Sequence, residues 1–255
     1  MKIIAWNCRG LGNRPAVRSF LELQKVERAD ILFLSETKLK ERKVKNFRWI
    51  LGLANCLTQD GDGQGGGIAL FWRNGIDVSL RNLSKYHIDV DVKEGRGVSW
   101  RFTGVYGESR ADQKDKTWRT LTGLISNPVM PWVCGGDFNE VLFSYEKEGG
   151  VPRSQRCMDK FRETLEACNL HDLGFCGDSF TWRNNNRREG GYIRERLDRA
   201  VANEEWRNLF PGVQIINGDP RHSDHRPVII LTEKERGERN RGNSGPAFHF
   251  EAAGG

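Results

Sequence analysis

Residues 3–37, IIAWNCRGLGNRPAVRSFLELQKVERADILFLSET, are the stretch that decides the fold. The apolar run Ile3 to Asn7 is typical of a short buried strand, and a glycine-containing turn follows it. Asn13 offers a helix N-cap with Pro15 in the first turn, which predicts a helix directly after that turn. The run Ile31 to Leu34 is too short for a helix and predicts a second strand. A strand, a helix and a strand in this order predict two strands of one sheet.

The middle of the chain carries signals of antiparallel strands. A glycine run precedes the apolar stretch Ile68 to Trp72, and the following turn at 73–75, Arg-Asn-Gly, predicts a hairpin. Residues His87 to Val92 alternate with period two, which predicts a half-exposed strand. Val98 to Tyr106 is a further strand, so we expect an antiparallel meander here. Gly61 to Gly67 lacks the Lys-Ser/Thr ending of a P-loop and is interpreted as a loop before a strand.

The second half adds helices and buried strands. Helical spacing is present from Thr117 to Ile125 and again from Phe161 to Cys168, and strands are predicted at 131–134 and 227–231. The fold class we predict is α/β, a four-layered sandwich of two mixed β-sheets flanked by helices. The domain is expected to span residues 1–232. Residues 233–255 are charged and Gly-rich, and they are expected to form a flexible linker or truncated tail.

Composition restricts the class of protein. The hydrophobic share of 37% is enough for a sizeable core, and the net charge of +6 favours a polyanionic partner. The 6 cysteines are scattered without a C-x-x-C pair, which argues against zinc and for thiols in a reducing compartment. The N-terminal apolar run is too short for a signal peptide, and no run approaches the ~20 residues of a membrane span. We therefore expect no membrane association, no secretion, and a nuclear or nucleo-cytoplasmic location.

Polar residues recur where the predicted strands end. They are Asn7, Glu36, Tyr106, Asp137 with Asn139, Asp198, and Asp224 with His225. Taken singly, an Asp or Asn after a strand is usually a turn residue, and a lone tyrosine or histidine usually packs. If the strand ends share one edge, however, their carboxylates would repel one another unless a hard cation lay among them. Oxygen ligands of this kind select Mg²⁺ or Mn²⁺ over zinc.

The order of these motifs resembles the signature of the endonuclease/exonuclease/phosphatase superfamily. The motifs are WNCRGLG with Asn7, SETKL with Glu36, GDFN with Asp137 and Asn139, ERLDRA with Asp198, and SDHRP with Asp224 and His225. They run in family order over about nine-tenths of the chain. The superfamily includes deoxyribonuclease I, apurinic/apyrimidinic endonucleases and inositol polyphosphate phosphatases, so the resemblance implies a deoxyribonuclease I-like fold and metal-dependent phosphoester hydrolysis.

Further segments resemble the endonuclease domain of plant non-LTR retrotransposons. They are TGVYG at 103–107, PWVCGGDFNEVL at 131–142, FTWRN at 180–184, SDHRPVII at 223–230 and FHFEA at 248–252. The resemblance implies a Mg²⁺-dependent nickase of double-stranded DNA that is fused to, or derived from, a protein with a reverse transcriptase. We expect it to be a monomer.

The resemblance also implies the metal ligands and the catalytic roles. Glu36 is the principal ligand of Mg²⁺ (or Mn²⁺), with Asn7 beside it and Asp224 near the metal. Asp137 would orient or deprotonate the attacking water. His225, buttressed by Asp198, would contact a non-bridging phosphate oxygen. Whether Asp137 or His225 is the general base stays open at this point.

The same resemblance implies a set of substrate contacts. Asn139 would bind the scissile phosphate, and Tyr106 and Thr181 would line its pocket. Ser223 and Arg183 are also expected to bind substrate. Arg183 belongs to a segment rich in arginine, whose other members are Arg187, Arg188, Arg194, Arg196 and Arg199. That segment is interpreted either as a grip on the phosphate backbone or as a solvated loop.

Departures from the family pattern keep two other functions open. Apurinic/apyrimidinic endonucleases usually carry an Asp two residues after the first Asn, where this chain has Arg9, which argues against abasic-site repair. One alternative is a catalytically inactive, nucleic-acid-binding remnant. The other is a phosphomonoesterase of the same superfamily, which the arginine-rich segment and the retrotransposon-like motifs disfavour.

Overall fold

A computed structural model describes residues 1–61, 66–95, 97–186, 188 and 191–233. The predicted tail lies almost entirely outside these residues. In chain order the strands are β1 Lys2–Asn7, β2 Ile31–Ser35, β3 Asn55–Gln59, β4 Ile68–Trp72, β5 Ile76–Ser84, β6 His87–Glu94, β7 Trp100–Tyr106, β8 Trp132–Asp137, β9 Lys147–Glu148, β10 His171–Asp172, β11 Cys176–Gly177, β12 Trp182–Arg183, β13 Arg194–Glu195, β14 Asp198–Ala202, β15 Gln214–Asn217 and β16 Val228–Leu231.

The helices lie between these strands and flank them. They are α1 Arg14–Glu27, α2 Glu41–Leu51, α3 Asp115–Gly123, α4 Gln155–Ala167 and α5 Glu204–Leu209, with short 3₁₀ turns at Ala111–Gln113 and Ser144–Glu146. Helix α1 begins as predicted, because the Asn13 side chain accepts the Ala16 N–H at 2.8 Å. Among the described residues, no helix is long and apolar enough to cross a bilayer.

The first sheet has the strand order β11-β15-β16-β1-β2-β4-β3. Strands β1 and β2 are parallel neighbours, which confirms the prediction from residues 3–37. Strand β16 runs antiparallel to β1, with Lys2 opposite Leu231 and Ala5 opposite Val228. The last strand of the described chain therefore begins at the edge where β1 and β2 end.

The second sheet has the order β10-β14-β8-β7-β6-β5 and contains the predicted meander β5-β6-β7. The hairpin predicted at 73–75 is wrong, because β4 and β5 belong to different sheets. Strand β4 is buried along its whole length and pairs with both β2 and β3. It has no free edge for β5, so the turn carries the chain from one sheet to the other. A small third sheet joins β12, β13 and β9.

Strand β6 carries a buried ion pair on its polar side. Asp89 is 1% exposed, and both of its carboxylate oxygens accept hydrogen bonds from Arg101 at 2.7 Å. The Thr103 hydroxyl donates to the same carboxylate at 2.7 Å. An alternating sequence does not reveal whether a polar side chain of the strand faces water or forms a buried ion pair. Here the ion pair satisfies the charge that burial would otherwise leave unpaired.

The layers follow from the three large clusters of buried side chains. One cluster fills the space between the sheets and includes Ile3, Phe33 and Phe102. A second packs α1 and α2 on the outer face of the first sheet, and a third packs α3 and α4 on the outer face of the second sheet. The predicted fold class is thereby confirmed: two mixed sheets lie inside and helices lie outside.

The two sheets pack tightly against each other at a glycine. A Cβ built on Gly104 of β7 would lie 2.2 Å from the Phe33 ring of β2, so no larger residue fits without movement of one sheet. The Phe33 and Phe102 rings also meet edge to face there, with centroids 6.5 Å apart. The sheets can pack at this distance because Gly104 of β7 has no side chain.

We expect Gly104→Ala to lower the free energy of unfolding by about 1–3 kcal/mol, because the added methyl overpacks the space between the sheets. Gly123→Ala is the matched control, since a Cβ there meets no atom within 4 Å. Urea denaturation followed by tryptophan fluorescence measures both variants. Equal stability of the two would contradict the account of sheet spacing.

Candidate active site

The predicted site residues converge because of the strand directions. Parallel β1 and β2 bring Asn7 next to Ser35, directly before Glu36, and parallel β7 and β8 place Tyr106 opposite Asp137. Antiparallel β14 starts at this same edge, with Asp198 opposite Asp137. The segment before β16 arrives there as well and carries His225. One edge of the sandwich therefore collects side chains from both sheets.

Asn7 connects the carboxylates of the two sheets. Its side-chain amide donates to Glu36 Oε1 at 3.0 Å and to Asp137 Oδ2 at 2.9 Å. Asn7 is 1% exposed, and its Oδ1 accepts the N–H of Arg9 at 3.1 Å, so the amide orientation is fixed. Both protons of one amide group thus hold two acidic side chains within reach of a single ion.

His225 lies between two buried aspartates. Its Nδ1 is 2.8 Å from Asp198 Oδ2 and its Nε2 is 3.8 Å from Asp137 Oδ2. Burial alone would lower the pKa of His225, but the Asp198 and Asp137 carboxylates outweigh it and raise the pKa to about 9. The imidazole is therefore cationic at neutral pH and links the two sheets electrostatically.

The other acids at this edge have different affinities for a proton. Burial raises the pKa of Asp137 to about 7, and the Asp198 carboxylate adds to the rise while His225 opposes it. Burial also acts to raise the pKa of Glu36, but hydrogen bonds from Asn7 and Lys38 prevail and lower it. The pKa of Tyr106 is raised by burial and by the Glu36 and Asp137 carboxylates, so the phenol stays protonated and remains a donor.

Four residues at this edge have left-handed backbone without being glycine. They are Arg9, Glu36, Lys38 and Asn139, with φ between 50° and 55°. Such backbone costs most residues of order 1 kcal/mol, and strain of this kind tends to collect at functional sites. Glu36 thereby leaves the line of β2, and its Oε2 lies 3.0 Å from the Lys38 ammonium.

Asn139 is held from three directions. Its backbone N–H donates to Asp137 Oδ1 at 2.8 Å and its side-chain amide donates to the Gly107 carbonyl at 2.8 Å. Its own carbonyl accepts a hydrogen bond from the ammonium of Lys114. Lys114 is buried, and its Nζ also lies 3.0 Å from Glu140 Oε2. Sequence reasoning missed Lys114, since a single lysine before a helix carries no signal of a contact 25 residues away.

The hydroxyl groups of Thr181 and Ser223 hold backbone segments of the site in place. The Thr181 hydroxyl oxygen accepts the N–H groups of Leu197 and Asp198 at 3.0 and 2.9 Å and so fixes the start of β14. The Ser223 hydroxyl donates to the Asn7 carbonyl at 2.7 Å, which ties the His225 segment to β1. Contact of either hydroxyl with a substrate stays a prediction.

Asp224 and Arg183 lie beside this group. The Asp224 carboxylate accepts the Trp182 indole N–H at 2.8 Å and the guanidinium of Arg9. Its backbone carbonyl accepts the Arg183 N–H at 3.2 Å. The roles of Asp224 in metal binding and of Arg183 in substrate binding stay predictions. Sequence reasoning missed the contacts of Arg9 and Trp182 with Asp224.

The arginine-rich segment is in part internal, so neither a phosphate grip nor a solvated loop describes Arg196 and Arg199. Arg199 is 1% exposed and bonds both Glu146 and Asp172, and Arg196 bonds the same two carboxylates. Arg194 is more exposed and pairs with Glu148 at 2.6 Å. These guanidiniums are bound by buried or neighbouring acids and hold the loops behind the site together. Arg187 lies outside the described residues.

The donor set suits a hard divalent cation. Asp137, Asp198 and His225 offer ligand atoms that lie within 4.8 Å of one another. The Glu36 and Asp137 carboxylates share the Asn7 amide as a hydrogen-bond donor. Among the described residues, the buried Asp198 Oδ1 has no hydrogen-bond partner. Carboxylate and amide oxygens without thiolates match Mg²⁺, Mn²⁺ or Ca²⁺ rather than zinc.

Comparison with known proteins identifies the family of this chain. The family model described as "Endonuclease/Exonuclease/phosphatase family" matches residues 4–225, and this chain belongs to that family. Members of this family are hydrolytic nucleases and phosphatases that generally use divalent metal ions. No curated protein sequence matches the chain significantly.

Solved structures show the same fold at low identity. A 3′ phosphatase, NExo, from Neisseria bound to product DNA hairpin is 21% identical, with 91% of this chain and 98% of that chain covered and a TM-score of 0.70. The endonuclease domain of TRAS1, a telomere-specific non-LTR retrotransposon, is 16% identical over 90% and 96%, with a TM-score of 0.66. The AP endonuclease LMAP from Leishmania major is 17% identical over 90% and 86%, with a TM-score of 0.67.

We expect Asp198→Asn to lower the pKa of His225 from about 9 toward its ordinary value, because the variant removes the carboxylate that most strongly favours the imidazolium. Imidazole resonances in a pH series of NMR spectra of the metal-free protein report the shift. Asp159→Asn, a change on the outer face of α4, serves as the control. An unchanged pKa in Asp198→Asn would show that Asp198 does not sustain the charge.

Proposed function

We propose that this protein is a Mg²⁺-dependent endonuclease that nicks double-stranded DNA, and that it is the endonuclease domain of a non-LTR retrotransposon. The observation that best supports this proposal is the Glu36–Asn7–Asp137 chain of hydrogen bonds, with the His225–Asp198 pair beside it. In this arrangement Glu36 would bind the cation, Asp137 would accept a proton and His225 would supply a positive charge, all at one edge. Those are the parts that an in-line attack on a phosphodiester requires.

The pKa values suggest a division of roles between Asp137 and His225. A carboxylate whose pKa lies at about 7 can accept a proton from water near neutral pH. A histidine whose pKa lies at about 9 is already protonated there and acts as a hydrogen-bond donor to a phosphate oxygen. We therefore assign Asp137 as the general base and His225 as the stabiliser of negative charge. Tyr106, also protonated, donates to a second phosphate oxygen.

The metal would be held by Glu36, and Asn7, which the resemblance implies as a second ligand, turns its amide N–H groups toward Glu36 and Asp137 and would hold the Glu36 carboxylate in place. When bound, Mg²⁺ supplies charge neutralisation at the phosphate and at the leaving oxygen. The protein's own share is to fix the Glu36 carboxylate through Asn7 and to keep it ionised through its lowered pKa. Asn139, held in left-handed backbone beside Asp137, is placed to bind the phosphate that the water attacks.

Charge and sequence motifs favour DNA as the substrate and a retrotransposon as the source of this domain. The net charge of +6 suits a polyanion, and the sequence motifs resemble those of plant non-LTR elements. The similarity to the endonuclease domain of TRAS1 agrees with this choice at the level of the fold. An enzyme of this kind would work in the nucleus, and its nick would expose a 3′-hydroxyl that primes reverse transcription.

In the presence of Mg²⁺ we expect the protein to convert supercoiled plasmid to the open circular form. We expect Glu36→Gln and His225→Asn each to reduce the rate roughly 100-fold or more, since each removes a charge that stabilises the transition state. Agarose gels run over a time course measure the rates.

The matched control is Glu27→Gln, a change of the same type at the end of α1, away from this edge. It should leave nicking unchanged. Salt-sensitive DNA binding without nicking would instead support the inactive remnant. Faster phosphate release from a 3′-phosphorylated oligonucleotide or an inositol polyphosphate than nicking would support the phosphomonoesterase.

We expect EDTA to abolish nicking, with activity restored by Mg²⁺ or Mn²⁺ but not by Zn²⁺, because the proposed ligands are all oxygen atoms. Thermal unfolding with and without Mn²⁺ gives a second readout, in which Mn²⁺ raises the Tm of the wild type but not of Glu36→Gln. Full activity in EDTA would contradict the assignment of a metal-dependent reaction.

A further inference from the structure

Arg9 is the most exposed charged residue in direct contact with the site. It lies in the turn after β1, its backbone is left-handed with φ 50°, and its side chain is 54% exposed. Its N–H donates to Asn7 Oδ1, so its position is coupled to the amide that links Glu36 and Asp137. Its guanidinium donates to Asp224. The nicking mechanism above leaves both side chains without a role.

Asp224 is the fixed member of this pair. Its side chain is only 9% exposed, and the oxygen that accepts Arg9 also accepts the Trp182 indole N–H. Strand β12 pairs with this segment through Trp182 and His225, and the Arg183 N–H bonds the Asp224 carbonyl. The carboxylate is thus held next to His225 and offers a stable anchor for one N–H of the guanidinium.

Beside the metal of the proposed function, a cationic side chain at this edge would help to hold an anionic substrate. Asp137 and Asp198 are buried there and Asp224 and Glu36 are half-buried, while His225 and Lys38 carry the nearby positive charges. A phosphodiester adds another negative charge to this group. A guanidinium has five N–H donors in a fork that fits phosphate oxygens, and an exposed ion pair to a carboxylate is easily shared or exchanged.

We propose that Arg9 binds a backbone phosphate of the DNA at the catalytic edge, and that Asp224 is the residue that orients Arg9 rather than a ligand of the metal. This inference rests on the proposed function, because it takes the DNA backbone as the substrate. The geometry favours it over metal binding for Asp224, since the carboxylate already has a cation and an indole N–H on one oxygen. Arg9 is thereby a substrate-binding residue and Asp224 a positioning residue.

The first test measures equilibrium binding of a short DNA duplex in EDTA, where no turnover occurs, as a function of salt. Arg9→Ala should weaken binding about tenfold and reduce the slope of log K against log[salt] by about 0.9, the value for one lost phosphate contact. Arg9→Lys should keep the slope and restore part of the affinity. Arg73→Ala is the matched control, because Arg73 forms surface ion pairs with Asp30 and Glu94 at the opposite edge of the sheet.

The second test separates metal binding from DNA binding. Manganese affinity without DNA, measured by calorimetry, should stay within about threefold of the wild type in Asp224→Asn, whereas Glu36→Gln should lower it more than about tenfold. Asp224→Asn keeps an acceptor for Trp182, so the fold is retained. In the nicking assay, Arg9→Ala and Asp224→Asn should raise KM more than they lower kcat, and the double variant should be no worse than Arg9→Ala alone.

The outcomes distinguish this inference from the proposed function. Unchanged DNA affinity and salt slope in Arg9→Ala would overturn the role of Arg9. A large loss of Mn²⁺ affinity in Asp224→Asn would overturn the role of Asp224. A wild type that binds DNA through Arg9 without nicking it would reject the nickase and keep the inference, while a wild type that binds no DNA would reject both.

Discussion

Two aspartates on neighbouring strands impose the main constraint on this structure. Asp137 and Asp198 are register partners across β8 and β14, and both are essentially buried. Two carboxylates so placed cannot both stay ionised without a compensating charge. His225 supplies that charge from the segment before β16, and the two carboxylates raise its pKa to about 9. The ionic link that brings the sheets together is therefore also the chemical centre of the site.

The surroundings keep this centre in position. Two hydrogen bonds connect β1 with the His225 segment. The Ser223 hydroxyl donates to the Asn7 carbonyl, and the Trp6 indole N–H donates to the His225 carbonyl at 3.0 Å. Thr181 fixes the start of β14, and Lys114 fixes the carbonyl of Asn139. These contacts are made by residues far apart in sequence, so the geometry of the edge depends on completed tertiary packing.

Local pattern was enough to predict much of the architecture. Short apolar runs located β1, β2, β4, β7, β8 and β16, and the polar residues at their ends located the site, because strand ends are where backbone rigidity meets exposure. The same reasoning did not find α2, β3 or β15, whose apolar residues are few. It also did not find the buried ion pair of Asp89, and it took Arg196 and Arg199 for residues that face DNA or water. Burial of charge is decided by a partner elsewhere in the chain, and no single-residue pattern carries that information.

The antiparallel pairing of β1 with β16 has a consequence for the architecture of a longer polypeptide. Lys2 faces Leu231, and the Thr232 N–H bonds the Met1 carbonyl at 3.0 Å. The two ends of the sandwich thus meet on the side remote from the edge that carries Asn7, Asp137 and His225. A tether or partner module attached at either end would start from that rear surface and leave this edge uncovered.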